Sequence, residues 1–197
     1  MAFHDVDGEA PSIVNASVTR TRNYLTAAEV ETLMAAARKL TRYGHRDATM
    51  ILIAYRHGLR ASELCDLQWH QVELNVGRLH VRRRKQGTPS VHPMQGDQIR
   101  ALRRLQREQG PSPHVFASER GGPMSPKSFG TLFARLGERA GMAFPIHPHM
   151  LRHACGYALA NAGHDTRALQ AWLGHKNIQH TVRYTELAPN RFMNFWR

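Results

Sequence analysis

The interpretation of this chain starts from a stretch that reads His149-Met150-Leu151-Arg152-His153, continues to Leu173-Gly174-His175 and ends at Tyr184. This stretch brings cations, imidazoles and one phenol into a short span. Such groups suit chemistry on a phosphodiester, which needs a nucleophile, neutralisation of the phosphate oxygens and a proton for the departing oxygen. Two basic residues earlier in the chain join them in the candidate catalytic set. Its members are Arg60, Lys85, His149, Arg152, His175 and Tyr184.

The charge of the chain indicates a polyanionic partner. Its 27 Lys and Arg against 15 Asp and Glu give a formal net charge of +12 at pH 7. Such a field concentrates nucleic acid or an acidic membrane surface, and charge alone does not choose between them. The length of 197 residues, 42% of them hydrophobic, suits one domain, or one domain with a small appendage, whose core needs no disulfide.

The sequence is expected to be that of a soluble, intracellular protein. It has no run of about 18 apolar residues, and its first ten residues are acidic and polar where a secretory signal would be basic and then apolar. Cys65 and Cys155 each lie in a helical apolar pattern. Small buried thiols in a reducing compartment explain them better than a disulfide does.

Hydrophobic spacing predicts a mainly α protein with one small antiparallel β-sheet (α+β). Between Gly77 and Met94, apolar and polar residues alternate, which predicts a β-hairpin with Lys85 near its tip. The remaining periodicity is helical. Helices are predicted after a capping box at Thr26-Ala27-Ala28-Glu29, across Ala48 to Tyr55 with a stop at Gly58, from about Ala61 to Leu67, across Ile99 to Leu105, after Ser125-Pro126, from Pro148 to about Ala162, from Asp165 to Gly174, and from about Ile178.

The predicted organisation has three parts. Residues 1–25 are predicted to be a mobile amino-terminal tail or an arm that orders on DNA, since the chain up to Arg22 lacks helical or strand periodicity. Residues 26–187 are predicted to form the catalytic domain. Residues 188–197, with Phe192, Phe195 and Trp196, are apolar enough to require a partner surface. The chain shows no internal repeat and no low-complexity segment.

Tyr184 is the candidate nucleophile, because nearby cations favour the phenolate over the phenol. Arg60 and Arg152 would neutralise the phosphate oxygens, since a guanidinium presents forked donors and stays charged. His149 lies three residues before Arg152 on a helix, so both side chains share one face. Attack would give a phosphotyrosine ester with a bond energy close to that of the original diester. No nucleotide cofactor is then needed, in agreement with the lack of a Gly-x-x-x-x-Gly-Lys loop.

Other residues would assist this chemistry. Lys85 on the hairpin would act as the general acid that protonates the leaving oxygen. Glu63 would orient Arg60 through a charge-assisted hydrogen bond, and His175 would donate to a phosphate oxygen. Three further arginines are predicted to contact DNA phosphates or face solvent without taking part in the chemistry: Arg82, Arg83 and Arg84.

A metal site is the alternative interpretation of the histidine cluster. His149 and His153 stand at i and i+4, as in a zinc helix, and His147 is close by. A zinc protease has a glutamate after its first histidine, whereas Met150 follows His149 here, and Arg152 would bring a cation beside the metal. We therefore expect no metal, and interpret His147 and His153 as structural residues or as residues that support the site.

These motifs resemble the signature of the tyrosine recombinase (phage integrase) family over Thr26 to about Thr185. The motifs that carry the resemblance are Gly58-Leu59-Arg60-Ala61-Ser62-Glu63-Leu64, Lys85, His149-Met150-Leu151-Arg152-His153, Leu173-Gly174-His175, and Tyr184 nine residues later. Within that family, three segments are similar to the short fimbrial phase-switch invertases: His147 to His153, Ala158-Leu159-Ala160-Asn161, and His180-Thr181-Val182-Arg183-Tyr184-Thr185.

The resemblance implies the tyrosine recombinase catalytic-domain fold and site-specific recombination without a cofactor. By that resemblance, Tyr184 would form a 3′-phosphotyrosyl bond and Lys85 would be the general acid. Arginines 60 and 152 and histidines 149 and 175 would surround the scissile phosphate, and strand exchange would pass through a Holliday junction. The expected assembly is a homotetramer on double-stranded DNA with inverted-repeat sites, in which residues 188–197 of each protomer pack against a neighbouring protomer. The expected outcome is inversion of a DNA segment, which would regulate fimbrial phase variation in the nucleoid of a bacterial cytoplasm.

One departure concerns the start of the chain. Most relatives carry a helical core-binding domain of about a hundred residues before the catalytic domain, within the usual size of a domain. Here about 25 residues precede Thr26, as in the fimbrial invertases. We expect DNA to be gripped from one side, with modest and strongly salt-dependent affinity, and accessory DNA-bending proteins to compensate.

Two alternative functions stay open at this point. A type IB topoisomerase resembles this family in its active-site groups but relaxes supercoils as a monomer. A non-catalytic DNA-binding regulator of a recombinase would keep the fold without the reaction. The filled catalytic positions favour an enzyme.

Overall fold

The computed structural model of the chain describes residues 22–84 and 87–186. Within these ranges the structure is mainly α-helical with one three-stranded antiparallel sheet, as the sequence predicts. The elements are α1 (Ala27–Leu40), α2 (Gly44–His57), α3 (Ala61–Cys65), β1 (Val72–Glu73), β2 (Arg78–Val81), β3 (Ser90–Pro93), α4 (Gly96–Gln109), α5 (Pro126–Arg139), α6 (His149–Asn161), α7 (Thr166–Leu173) and α8 (Gln179–Glu186).

The ends of the helices follow local sequence signals. At the start of α1, Thr26 Oγ1 accepts from the backbone of Glu29 at 3.2 Å, and the Glu29 carboxylate accepts from the backbone of Thr26 at 2.8 Å. Ser125 caps α5, and the proline after it takes the first helical position. Gly58 and Gly174, with φ of 57° and 66°, end α2 and α7 in the left-handed conformation that glycine adopts readily. These four predicted boundaries are confirmed.

The third helix is shorter than predicted. It ends at Cys65 instead of about Leu67. The carbonyl of Leu67 accepts a hydrogen bond at 2.9 Å from the backbone of Val115, far along the chain. This long-range hydrogen bond draws the backbone out of the helical path, and no local sequence signal predicts it.

The predicted β-hairpin is present as β2 and β3, in which Leu79 lies opposite His92. The sheet also contains β1, where Val72 pairs with Leu79. Two residues are too few to show an alternating pattern, so the sequence analysis missed this strand. The predicted hairpin tip at Lys85 lies outside the described residues.

Helix α2 lies at the centre of the hydrophobic core. Residues 50–54 of α2 are buried without interruption, because this helix packs against α1, α4 and α6. A smaller cluster joins α6, α7 and α8, and contains Cys155, Leu169, Leu173 and Tyr184. Cys65 and Cys155 are buried free thiols, as predicted, and burial raises the pKa of each to about 12. The helices that this smaller cluster joins carry His149, Arg152 and Tyr184, and His175 lies just after α7.

Order extends into the last residues of the predicted tail. Leu25 is buried, the Arg22 guanidinium bonds to Glu29, and the ring of Tyr24 lies 4.3 Å from that of Tyr157. Residues 1–21 and the predicted packing segment 188–197 lie outside the described ranges. Within those ranges, no helix has the length and apolar character needed to cross a bilayer.

Candidate active site

Arg152 lies at the meeting point of three helices. Its side chain extends from α6, is 1% exposed, and donates to the carbonyl of Gly58 at 2.5 Å and to the carbonyl of Leu173 at 2.6 Å. These carbonyls stand at the carboxyl ends of α2 and α7, where helix dipoles favour a cation. Burial, with the charges of Arg60 and Arg83, lowers the pKa of Arg152 to about 10, so it remains charged at neutral pH.

A buried carboxylate organises the arginines beside it. Glu63, whose side chain is 1% exposed, accepts from Arg60 Nη1 at 2.8 Å and from Arg83 Nη1 at 3.0 Å. It also accepts from the backbones of Arg60 and Arg84, at 3.0 and 3.1 Å. Burial by itself raises the pKa of Glu63, but these bonds and charges outweigh it and hold the pKa below its usual value. The predicted bond between Glu63 and Arg60 is therefore present, and Arg60 is left with one face toward solvent.

The three arginines at the end of β2 do not share one environment. Arg82 and Arg84 are exposed, and Arg84 pairs with Asp66 at 3.1 Å. The Arg83 side chain is fully buried and bonds to Glu63 and to the carbonyls of three residues. Those residues are His57, Gly58 and Trp172. The interior position of Arg83 corrects the expectation that it contacts phosphate or faces solvent, because every bond of its guanidinium in this structure is to the protein itself.

Two histidines flank the arginines. His175 directly follows the left-handed Gly174 and bonds through Nδ1 to Thr181 Oγ1 at 2.8 Å, so Nε2 is the nitrogen that can reach a phosphate. Burial, reinforced by Arg152 and Arg60, lowers the pKa of His175 to about 3. It is therefore neutral at pH 7 and can donate one N–H. His149 is exposed at the start of α6.

Tyr184 is buried, and its hydroxyl is hydrogen-bonded to two neighbouring side chains. The hydroxyl lies 2.8 Å from His153 Nδ1 and accepts from Arg183 Nη2 at 3.2 Å. The Arg183 guanidinium lies 5.1 Å from the centre of the Tyr184 ring, and Tyr157 meets that ring edge to face at 5.0 Å. A Cβ at Gly156 would come within 2.8 Å of three ring atoms, so only glycine leaves room for the phenol here.

The fold brings most of the predicted catalytic residues near one another, because several of them shift one another's pKa or contact a common neighbour. Arg60 and Tyr184 both influence the pKa of Arg152, and Arg60 and Arg152 both influence that of His175. The ring of His149 lies 4.6 Å from that of His153, which in turn bonds to Tyr184. Five of the six predicted catalytic residues therefore share one region; the sixth, Lys85, lies outside the described residues.

Sequence reasoning missed the contribution of Arg183 and the interior role of Arg83. The sequence signal that could have revealed Arg183 is its position directly before the candidate nucleophile. His147 lies exposed in the loop before α6. Among the residues that the structure describes, no three His, Cys, Asp or Glu side chains are grouped so that they could hold a metal ion.

Comparison with known proteins defines the class. Residues 23–191 match the sequence model of the phage integrase family. The type 1 fimbriae regulatory protein FimE of Escherichia coli strain K12 is 44% identical over 181 residues, which cover 89% of this chain and 91% of FimE. The regulatory protein FimB of the same strain is 38% identical over 187 residues, covering 92% of this chain and 93% of FimB.

Solved structures agree with the sequence comparisons. The crystal structure of XerA recombinase matches this chain with a TM-score of 0.74 and 25% sequence identity. The structure of the Tn1549 transposon integrase bound to transposon right-end DNA matches with a TM-score of 0.73 and 25% sequence identity. The matches cover 88% and 82% of this chain, but 63% and 60% of those two chains, so this chain spans about three fifths of their length. The chain belongs to the phage integrase family, the tyrosine recombinases, which are site-specific DNA recombinases. The predicted fold and the resemblance to the fimbrial members are confirmed.

Proposed function

We propose that this chain cleaves and rejoins DNA at specific sites through Tyr184, and that the product is an inverted DNA segment. One observation carries the proposal. Arg152 is buried, charged and held by two helix ends, near enough to Tyr184 for that residue to influence the pKa of the guanidinium. Burying a guanidinium is costly unless its bonds are satisfied and its charge is used. A phosphate bound at Arg152 and Arg60 would use that charge directly beside a nucleophile.

In the proposed step, the Tyr184 oxygen attacks the phosphorus and forms a 3′-phosphotyrosyl ester, while the bond from phosphorus to the 5′ oxygen breaks. Lys85 gives a proton to that leaving oxygen. The phenolic proton passes to a neutral imidazole, and His153 Nδ1 already holds the hydroxyl at 2.8 Å. A 5′ hydroxyl from the exchanging strand then attacks the ester, releases Tyr184 and returns the protons.

The proposed reaction conserves bond energy and includes no nucleotide cofactor. Arg60 and Arg152 would supply the positive charge that metal ions supply in other phosphoryl-transfer sites. His175 Nε2 and His149 would donate to the remaining phosphate oxygens. The roles of these four residues, of Lys85 as general acid and of Glu63 as the group that orients Arg60 are all part of the proposal.

The proposed partner is double-stranded DNA with inverted-repeat sites, bound by four protomers with the help of DNA-bending proteins. A formal net charge of +12 supports a polyanionic partner. The similarity to two fimbriae regulatory proteins supports a phase switch, and the solved Tn1549 integrase complex supports DNA as the ligand. We place this work at the nucleoid in the bacterial cytoplasm, and assign residues 188–197 to contacts between protomers.

A nicked duplex that carries the recombination site tests the proposal. The unaltered protein should form a protein–DNA adduct that resists denaturation, and Tyr184→Phe should form none. Tyr43→Phe, at the start of α2 and outside the site, is the matched control and should behave as the unaltered protein. An adduct of normal yield with Tyr184→Phe would refute the assignment. Inverted segments would identify a recombinase, relaxed circles alone a topoisomerase, and binding without an adduct a regulator.

A further inference from the structure

The last residues before α1 fold back against α6. Leu25 is 1% exposed and belongs to the main hydrophobic core. The ring of Tyr24, one residue earlier, lies 4.3 Å from the ring of Tyr157 in α6, with the two planes tilted by 43°. Residues 22–25, which we call the amino-terminal strap, therefore join the start of α1 to α6.

Arg22 holds the strap in place. Its guanidinium bonds to the carboxylate of Glu29 in the first turn of α1. The same guanidinium lies 5.5 Å from the centre of the Tyr24 ring and 4.8 Å from that of Phe144, distances at which a cation is attracted to an aromatic face. Tyr24 therefore contacts a restrained cation as well as Tyr157.

Tyr157 connects the strap to the candidate nucleophile. Its ring meets that of Tyr184 at 5.0 Å with the planes at 88°, the edge-to-face arrangement that aromatic pairs prefer. Tyr157 directly follows Gly156, whose missing side chain leaves room for the phenol. Three rings, those of Tyr24, Tyr157 and Tyr184, thus form a continuous aromatic row from the strap to the phenol.

The aromatic row restrains a part of Tyr184 that its hydrogen bonds do not. His153 and Arg183 bond to the hydroxyl and so fix the oxygen. The ring can still turn about the axis through that oxygen unless a neighbour contacts the ring itself. The lone pairs of a phenolic oxygen are oriented relative to its ring, so the tilt of the ring decides how well they point at phosphorus. Tyr157 contacts the ring and limits this rotation.

We propose that Tyr24 and Tyr157 are positioning residues for Tyr184: the strap holds Tyr157 in place, and Tyr157 holds the phenol ring at the tilt from which its oxygen attacks phosphorus. The inference rests on the proposed function. It concerns the rate of attack and not the binding of DNA, because the contacts that carry it lie between protein side chains. Displacing a reacting group by about 1 Å can cost about 100-fold in rate.

Single-turnover adduct formation on the nicked, site-bearing duplex tests the inference. Rates measured over a range of DNA concentrations give the saturated rate and the concentration of half-saturation separately. Tyr157→Leu and Tyr24→Leu each remove one ring from the row. Each should lower the saturated rate about 10- to 100-fold, while the concentration of half-saturation stays within about twofold. Tyr157→Phe and Tyr24→Phe keep both ring contacts and should react almost as the unaltered protein does.

The double variant shows whether the strap acts through Tyr157. If it does, Tyr24→Leu should cost little more once Tyr157→Leu has removed the ring between them, so the two losses should not multiply. Ile99→Ala is the control for general loss of stability, because Ile99 in α4 packs partly buried against the main core and outside the row. It should melt at a lower temperature and keep the saturated rate. Tyr157→Met replaces Tyr157→Leu if melting measurements show that Tyr157→Leu is unfolded.

Three results would overturn the inference: an unchanged saturated rate in the leucine variants, a loss confined to the concentration of half-saturation, or losses that multiply in the double variant. An equal loss in the phenylalanine and leucine variants would also contradict it, since the hydroxyls and not the rings would then matter. Failure of the unaltered protein to form any adduct, or a normal adduct yield with Tyr184→Phe, would instead refute the proposed function.

Discussion

The hydroxyl of Tyr184 lies 2.8 Å from Nδ1 of His153, the residue that directly follows Arg152 in α6. Consecutive residues of one helix thus provide the contact with the candidate nucleophile and a buried cation. Burial, reinforced by His149 and Arg183, lowers the pKa of His153 to about 3, so its ring is a neutral acceptor at pH 7. The orientation of Tyr184 therefore depends on α6 as well as on its own helix.

Adding one methyl group below the phenol should lower both activity and stability. A Cβ at Gly156 would lie 2.8 Å from three atoms of the Tyr184 ring, so Gly156→Ala must displace the candidate nucleophile. We expect adduct formation to be lost and about 1–3 kcal/mol of stability with it. Urea unfolding and adduct yield measure the two effects.

The matched control is Gly130→Ala in α5, where an added Cβ meets nothing within 4 Å. Because alanine is the better helix former, this variant should gain about 0.5–1 kcal/mol and keep full activity. A Gly156→Ala protein with normal adduct yield would mean that the ring position observed here is not the one used in cleavage.

Removing the charge of Glu63 should release two arginines at once. The amide of Glu63→Gln would face the guanidiniums of Arg60 and Arg83 and leave Arg83 buried without a counter-charge. We expect a loss of about 3–5 kcal/mol in the free energy of unfolding at pH 7. Because the pKa of Glu63 is lowered in the folded protein, its carboxylate stabilises the fold at neutral pH. This contribution to stability disappears as the pH falls below about 4.5.

The control for Glu63 is Asp66→Asn. Asp66 pairs with Arg84 at 3.1 Å, but both side chains are more than half exposed. Such pairs contribute about 0–1 kcal/mol, so this variant should unfold almost as the unaltered protein does. Equal losses for the two variants would contradict the interior role of Glu63.

Buried histidines should make the protein sensitive to mild acid. His57, His92 and His175 have pKa values lowered to about 4, 3 and 3, whereas the unfolded chain takes up protons near 6.5. Stability is therefore complete above about pH 6.5 and falls as the pH drops from there toward 4. Each group contributes a slope of up to about 1.4 kcal/mol per pH unit. Urea unfolding at several pH values measures how steeply stability depends on pH, and this dependence should be weaker in His92→Asn. An identical dependence would show that protonation of His92 does not contribute to it.

The arginines proposed for catalysis and for DNA affinity should respond differently to substitution. Arg152→Lys loses the planar forked donors that reach the carbonyls of Gly58 and Leu173, so adduct formation should slow by about 100-fold or more while DNA is still bound. Arg82→Ala, at an exposed position, should weaken binding and reduce the slope of log affinity against log salt by about 1. Single-turnover cleavage measures the first effect and salt titration of DNA binding the second. Slow cleavage by Arg82→Ala, with weaker binding but normal cleavage by Arg152→Lys, would contradict the proposed roles.

Local sequence predicted most helix boundaries because caps are short-range structures. The capping box at Thr26, the serine cap at Ser125 and the left-handed glycines 58 and 174 each depend on a few neighbouring residues. Long-range pairing explains what was missed. The early end of α3 at Cys65 requires a partner about fifty positions away, and β1 exists only because β2 lies beside it.

The amino-acid sequence by itself determined the family, the mainly helical fold and the residue types of the site, because spaced basic, imidazole and phenol groups are visible in one dimension. Only the tertiary structure decided which cations are buried and what they touch. Arg152 bonds to Gly58 across 94 positions, and Arg83 bonds to Glu63 across 20. In the sequence Arg83 looks the same as its exposed neighbours, since burial and pairing are properties of the packed chain.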